Sequence, residues 1–219
     1  MKYSAIVLSG GVSKRFGKDK GLFRIFQKPL ISHVIERVRP LVDEEIIVIS
    51  DQGKIEEYSH HFPSTRILVD EYRLKAAISG ASTGFKNAIG DCSLLLPCDT
   101  PLVSQRTLSL LLRLAPSNDA VIPRWPSGYI EPLQAVYRTK EAYKASLKSI
   151  EEGEFRLMDM ISRLKKVLYL STLVIKQLDP NLITFHNINT QKDLEKIKKL
   201  LERQNNVYSQ SKNEASFKR

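Results

Sequence analysis

The chain has 219 residues, enough for one domain or two small ones. Its 42% hydrophobic and 26% charged residues exclude a collagen-like, mucin-like or wholly disordered chain, and no apolar run approaches the roughly 18 residues of a membrane-spanning helix. With 34 Lys and Arg against 24 Asp and Glu the formal net charge is +10, which favours anionic partners: nucleic acid, membrane headgroups or small phosphates.

Ala5-Ile6-Val7-Leu8 predicts a first strand, ending at the paired glycines Gly10 and Gly11. One Lys and a short apolar run do not make a signal peptide, so a cytoplasmic location is expected. From Lys14 to Lys28 there are six Lys or Arg against one acid, Asp19. Leu30, Ile31, Val34, Ile35 and Val38 repeat at helical spacing. Residues 46–49 and 66–69 are short β-favouring runs, expected as strands buried on both faces. A helix is expected at 78–88 and a third buried strand at 94–96, closed by Pro97. Another helix follows at 104–114, with Leu108, Leu111 and Leu112 inward. Strands are expected at 120–122, 133–137 and 167–175, with a helix at 140–152. Thr190-Gln191-Lys192-Asp193 reads as a capping box opening a helix with Leu194, Ile197, Leu200 and Leu201 on one face.

Strand and helix alternate from end to end, which predicts an α/β fold: a mostly parallel sheet with helices on both faces, three layers in all. Residues 1–203 read as one domain and 204–219, polar and aperiodic, as a disordered tail. Cys92 and Cys98 lie six apart with no His pair nearby, so they read as two reduced cysteines on or beside a strand.

Ligands of open parallel sheets bind beyond the carboxyl ends of the strands, so the segments after the strands carry the functional reading. After the first strand comes LSGGVSKRFGKDKGL, residues 8–22. Its glycines bring backbone N–H groups close to an anion, and Ser13, Lys14, Arg15, Lys18 and Lys20 add donors and charge. The loop is neither a Walker A motif nor a GxGxxG fingerprint. By composition alone it is a phosphate cradle or a solvated basic loop. After the third buried run, Pro97-Cys98-Asp99-Thr100-Pro101 fixes a carboxylate at the same edge. Opposite a basic glycine loop, a hard oxygen there suits Mg2+, which takes one or two carboxylates plus substrate phosphates. Asp70 is a second, less specific candidate.

The segments at residues 8–22, KPLISHV at 28–34, LLPCDTPLV at 95–103, EPLQAVY at 131–137 and FHNINTQKDL at 185–194 together resemble the molybdenum cofactor guanylyltransferases, over residues 3 to 203. The resemblance implies a Rossmann-like nucleotidyltransferase fold, GTP and molybdopterin as substrates, and Mg2+ as cofactor. It implies that Leu8, Ser9, Gly10 and Gly11 line the nucleotide, that Arg15 and Lys20 meet the triphosphate, and that Asp70 lies on the nucleotide side. Asp99 would be the magnesium ligand, and Asn187 and Asn189 would lie on the molybdopterin side. Contact with cofactor-delivery or acceptor proteins is left open. Three positions depart from the family pattern. Ser9 stands where Ala is usual, Lys75-Ala76-Ala77-Ile78-Ser79-Gly80 replaces a Gly-Pro-Leu-x-Gly segment, and Ser50-Asp51-Gln52 lacks the usual Asn. The last two leave base selectivity open.

The reaction implied is attack by the molybdopterin phosphate on the α-phosphorus of GTP, with release of pyrophosphate. A phosphate monoester is already ionised, so no protein nucleophile is needed; His33, His60, His61 and His186 accompany no nucleophile motif. A molybdopterin cytidylyltransferase, or a transferase for a sugar or polyol phosphate, would share the glycine loop and Asp99. A nucleotide sensor without turnover is a further class. Nucleic-acid binding is not expected, because Phe16, Phe23 and Phe26 among the basic residues read as core. No membrane partner is expected either. The segment 124–128 would touch the acceptor, or Trp125 would seal the surface. Arg156 reads first as helix surface, with an anionic acceptor as the alternative.

Overall fold

The computed structural model describes residues 1–10, 19–72 and 74–202. The expectations for Gly11, Arg15 and the tail at 204–219 lie outside these residues. Strand β1 (Tyr3–Ser9) precedes a small hairpin, β2 (Arg24–Ile25) and β3 (Lys28–Pro29), and helix α1 (Leu30–Val38). Then come β4 (Glu44–Ile49), α2 (Ile55–His61), β5 (Arg66–Val69) and α3 (Ala77–Asn87). The chain continues with β6 (Cys92–Pro97), α4 (Gln105–Leu114), β7 (Ala120–Arg124), β8 (Ala135–Arg138) and α5 (Thr139–Glu151). It closes with α6 (Leu157–Ser162), β9 (Val167–Ser171), α7 (Thr172–Ile175) and α8 (residues 191–202).

Seven strands form the central sheet in the order β5-β4-β1-β6-β8-β7-β9. All neighbours are parallel except at β8, which runs antiparallel to both β6 and β7. The sheet is therefore mostly parallel with helices on both faces, a Rossmann-like arrangement. Side chains of β1 alternate between two cores, as a period of two requires. Ala5 and Val7 join Val34, Ile47, Tyr58, Leu94 and Leu108 on the α1/α2/α4 face, while Ile6 joins Ile46, Ile78, Phe85 and Leu95 under α3 and α5. Helix α3 can approach so closely because it presents glycine to the sheet. A Cβ on Gly84 would lie 2.4 Å from Ile6 Cγ2. A third cluster, Ile25, Leu30, Leu102, Ile188, Leu194, Ile197 and Leu201, joins the hairpin to α8.

Three expectations need correction. Phe26, expected in the core, stands in the hairpin turn and is exposed. The run at 66–69 is not buried on both faces: β5 is an edge strand, and its residues are exposed or half-buried. The strand expected at 167–175 stops at Ser171, whose hydroxyl accepts from the Leu173 amide at 3.2 Å and opens α7; N-cap chemistry overrides the β-favouring Val174 and Ile175. Helices α2 and α7 and the hairpin were not expected. The hairpin turns on Phe26 and Gln27, both at positive φ (50° and 66°), the left-handed pair of a tight hairpin made without glycine. Both cysteines are free and buried. Among the described residues no helix is long and apolar enough to cross a membrane.

Candidate active site

The chain leaves β1 toward β4 and β5 on one side and returns to β6 on the other, so its order switches beside β1. A crevice opens beyond the carboxyl ends of strands at such a point. Here Leu8 pairs with Pro97, and the Cys98 amide extends the register by donating to the Leu8 carbonyl at 3.1 Å. Asp99 therefore sits immediately beyond β6, next to the Ser9–Gly10 end of β1.

Three segments distant in sequence meet at the Lys20 ammonium. Lys20 Nζ lies 2.5 Å from Asp99 Oδ2 and 2.9 Å from Asn189 Oδ1. An ammonium carries three N–H donors, so one remains for a further acceptor. The side chains of the Lys20–Asp99 pair are 19% and 15% exposed, a sheltered pair that solvent still reaches. The other carboxylate oxygen, Asp99 Oδ1, is buried and has no hydrogen-bond partner among the described residues. An orphaned hard oxygen in this position fits a Mg2+ ion that takes one protein carboxylate and completes its shell with water and phosphate. Among the described residues no group of three or more His, Cys, Asp or Glu could hold a metal without such help.

Asn189 reaches Lys20 because its backbone is fixed from both sides. The Ile188 amide donates to the Asp99 carbonyl at 3.0 Å, and Ile188 is buried in the hairpin–α8 cluster. The expected capping box forms: the Asn189 and Thr190 amides donate to Asp193 Oδ2 at 3.0 and 2.7 Å, and the Asp193 amide donates to Thr190 Oγ1 at 3.2 Å. Bonding to Thr190, then the Asn189 amide, holds the Asp193 carboxyl below the usual range. Asn187 is exposed beside this turn. The structure thus brings Lys20, Asp99 and Asn189 into one network.

Asp70 follows β5, three strands along the sheet from β6, and is buried at 7% exposure. Its Oδ1 accepts from the Ser79 hydroxyl at 2.5 Å and the Tyr72 amide at 3.1 Å, and its amide donates to the Ile49 carbonyl. Oδ2 makes no hydrogen bond among the described residues. Cys98 is buried, and burial, then the charge of Asp99, pushes its thiol up to about 12, which disfavours the thiolate. Burial also lowers the pKa of His33 and His186.

Sequence reasoning missed a second network beside Lys20. Asp19 Oδ1 accepts from the Gly21 amide at 2.9 Å and the Tyr58 hydroxyl at 2.8 Å, and Oδ2 accepts from Lys54 Nζ at 2.6 Å. Tyr58 OH also lies 2.6 Å from Ser9 Oγ. Burial raises the Tyr58 phenol well above its usual range, so it stays a donor. Tyr58 is the one buried residue of the short polar helix α2, and no periodicity announces it.

On the β7–β8 side, Trp125 is half-buried. Its Nε1 donates to Glu131 at 2.7 Å, and its ring packs 5.6 Å from that of Phe185, tying this loop to the segment that carries Asn187 and Asn189. Arg156 caps α6 and pairs with Asp159 at 2.7 Å with its side chain 80% exposed. It lines a cavity of about 460 Å³ together with Ala76, Tyr129, Ile130, Phe155 and Met158.

The chain matches the MobA-like NTP transferase domain over residues 5–167. It is 31% identical over 198 residues to a probable molybdenum cofactor guanylyltransferase of Methanosarcina mazei, covering 88% of each chain. A protein of the same description from Pyrococcus horikoshii is 32% identical over 202 residues, covering 89% of this chain and 98% of its own. Among solved structures, molybdopterin-guanine dinucleotide biosynthesis protein A of Archaeoglobus fulgidus superposes with a TM-score of 0.78 at 26% identity, covering 91% of this chain and 99% of that one. A 4-diphosphocytidyl-2C-methyl-D-erythritol synthase from Anaerococcus prevotii, at 15% identity, shares the fold with a TM-score of 0.68 over 92% of this chain and 98% of its own. With the site at the switch point of a Rossmann-like sheet, these likenesses make the chain a nucleotidyltransferase and a member of the MobA-like NTP transferase family.

Proposed function

We propose that this enzyme transfers GMP from GTP to the terminal phosphate of molybdopterin, forming a guanine dinucleotide and releasing pyrophosphate. The observation that carries this is the Lys20–Asp99–Asn189 network, with Asp99 Oδ1 unpartnered among the described residues at the ligand edge of the sheet. An oxygen of the acceptor phosphate attacks the α-phosphorus, a new P–O bond forms, and the bond to the β-phosphate bridging oxygen breaks. Because the attacking oxygen is already anionic, no protein base takes a proton. Lys20 uses its remaining donor on the departing pyrophosphate, assisted by Arg15 from the glycine loop, and so neutralises charge as it develops. Asp99 would hold Mg2+, and Lys20 stays bonded to its Oδ2. When bound, the metal supplies charge neutralisation at phosphate oxygens. Leu8, Ser9, Gly10 and Gly11 line the nucleotide, and the free oxygen of Asp70 accepts a hydrogen bond from its nucleoside half. The cavity beside Tyr129, Phe155 and Arg156 receives the acceptor's ring system, its apolar walls suiting a flat ring and the guanidinium an anionic substituent. The reaction takes place in the cytoplasm.

Turnover with Mg2+, molybdopterin and each of GTP, CTP, ATP and UTP, with products identified by mass, tests the reading. A guanine dinucleotide formed only with GTP is expected. A cytosine product would keep the site but replace the base, the outcome the departures at Ser50 and 75–80 leave room for. No product with any nucleotide, from folded protein, would sink the proposal.

A further inference from the structure

Lys20 stands between two residues whose positions are set by something other than Lys20 itself. On one side the Asp19 carboxylate is held by Tyr58 and Lys54; on the other the Gly21 amide donates to that same carboxylate. The Gly21 carbonyl also accepts from the Ile31 amide at 3.1 Å, tying the peptide to α1. An ionised carboxylate only accepts, so the single phenolic proton of Tyr58 goes to Asp19 and the short contact to Ser9 is a bond that Ser9 donates. The order is therefore fixed from β1 outward: Ser9 to Tyr58, Tyr58 to Asp19, with Gly21 closing the turn.

Packing around Gly21 points the same way. A Cβ there would lie 2.0 Å from Ser9 Oγ and 2.5 Å from Tyr58 OH, so the backbone of the Lys20 segment rests directly on the two hydroxyls. Lys54 adds a charge argument. Asp19 adjoins Lys20 in sequence and would compete with Asp99 for its ammonium; the 2.6 Å pair with Lys54 satisfies Asp19 and leaves Lys20 to Asp99 and Asn189.

We propose that Ser9, Tyr58 and Asp19 form a positioning clamp that grips the backbone on both sides of Lys20 and fixes its ammonium at Asp99. None of the three need touch the reacting atoms for this. The clamp acts through Lys20, and it rests on the reading of Lys20 as a phosphate ligand. Its Ser9 member comes from the residue that departs from the family's usual Ala, which lacks the hydroxyl this bond needs.

A double-mutant cycle with Tyr58→Phe and Lys20→Ala tests it, read on both Mg-GTP affinity and kcat. Tyr58→Phe alone is expected to lower kcat on the order of tenfold, the cost of a small misplacement of a charge-stabilising group. In the Lys20→Ala background the same change should do nearly nothing, within about twofold, because the group it aims is gone. A purely structural role would multiply the two effects instead, and that result overturns the proposal. Should Tyr58→Phe fold poorly, Ser9→Ala replaces it, with the same coupling expected at a smaller amplitude. The binding cycle needs no acceptor. Coupled affinities without any dinucleotide product would therefore support the clamp while removing the acceptor reading. Wild-type protein that binds neither Mg-GTP nor inorganic triphosphate would end both.

Discussion

Replacing Asp99 with Asn separates the chemical role of this carboxylate from its structural one, because the two effects differ in size. Structurally the change is small. Asn keeps an oxygen for Lys20 and loses only the charge in a bond between side chains 19% and 15% exposed. A charge-assisted bond is roughly twice as strong as a neutral one, so the loss is about 1 kcal/mol, or about 2–4 °C in melting temperature for a chain of this size. Chemically the change is large. With its oxygen turned to Lys20, the amide nitrogen takes the place of the orphaned Oδ1 and presents donors where a cation would bind. Loss of the metal's charge neutralisation is worth several kcal/mol, roughly 10²–10³ in rate. Initial rates over a magnesium titration, beside thermal melts of both proteins, read the two effects separately. The expected result is near-native melting with turnover that falls steeply and no longer responds to magnesium. An Asp99→Asn protein turning over like wild type at low magnesium would refute the metal assignment.

Three other expectations address the fold and the groups around the site. Gly84→Ala places a methyl 2.4 Å from Ile6 Cγ2 on a fully buried central strand, and should cost about 1–3 kcal/mol; an unchanged urea midpoint would contradict the close approach of α3. Neither cysteine should react with a thiol-specific disulfide reagent at pH 8 in the native state, since both are buried and burial raises both thiols, Cys98 to about 12. Rapid native labelling would contradict that, and both should label on unfolding. The carboxyl of Asp193 is depressed, so its hold on the start of α8 is complete above its unfolded pKa of about 3.9 and is lost as pH falls through the lower folded value. Protection of the Asn189 and Thr190 amides, taken relative to the intrinsic exchange rate at each pH, should fall only in that acid range, and a fall already near pH 6 would assign the hold to something else.

Most of the fold was legible because burial on both faces leaves an unmistakable mark. Ile46 to Ile49 and Leu94 to Leu96 are continuous apolar runs, and both lie in the interior of the sheet. The edges were harder. β5 and β9 carry the same β-favouring residues, but each has only one neighbour, and at Ser171 a hydroxyl able to cap a helix ended the strand early. Helix α2 was invisible for the opposite reason. Seven residues that bury only Tyr58 give no stripe for periodicity to detect.

The site divides along a similar line. Asp99 was legible because two prolines and a buried strand announce a fixed carboxylate at a known edge. Its pairing with Lys20 was expected only in the loose sense that a basic loop faced it. That Asn189 would join the same ammonium, 169 residues from Lys20, depends on α8 folding back over the hairpin and on one bond from the Ile188 amide to the Asp99 carbonyl. No local pattern encodes that return; only the buried stripe Leu194, Ile197 and Leu201 makes it favourable, and its docking surface was part of the unexpected hairpin. Asp19 shows the limit most clearly. In the sequence it is one acid among six bases and reads as a minor offset of charge. In the fold its two oxygens take hydrogen bonds from Gly21 in the adjoining turn and from Tyr58 and Lys54, which α2 and its N-cap bring in from more than thirty residues away. Residue type told what chemistry was available at the ligand edge, while the packing of short, weakly patterned segments determined which atoms deliver it.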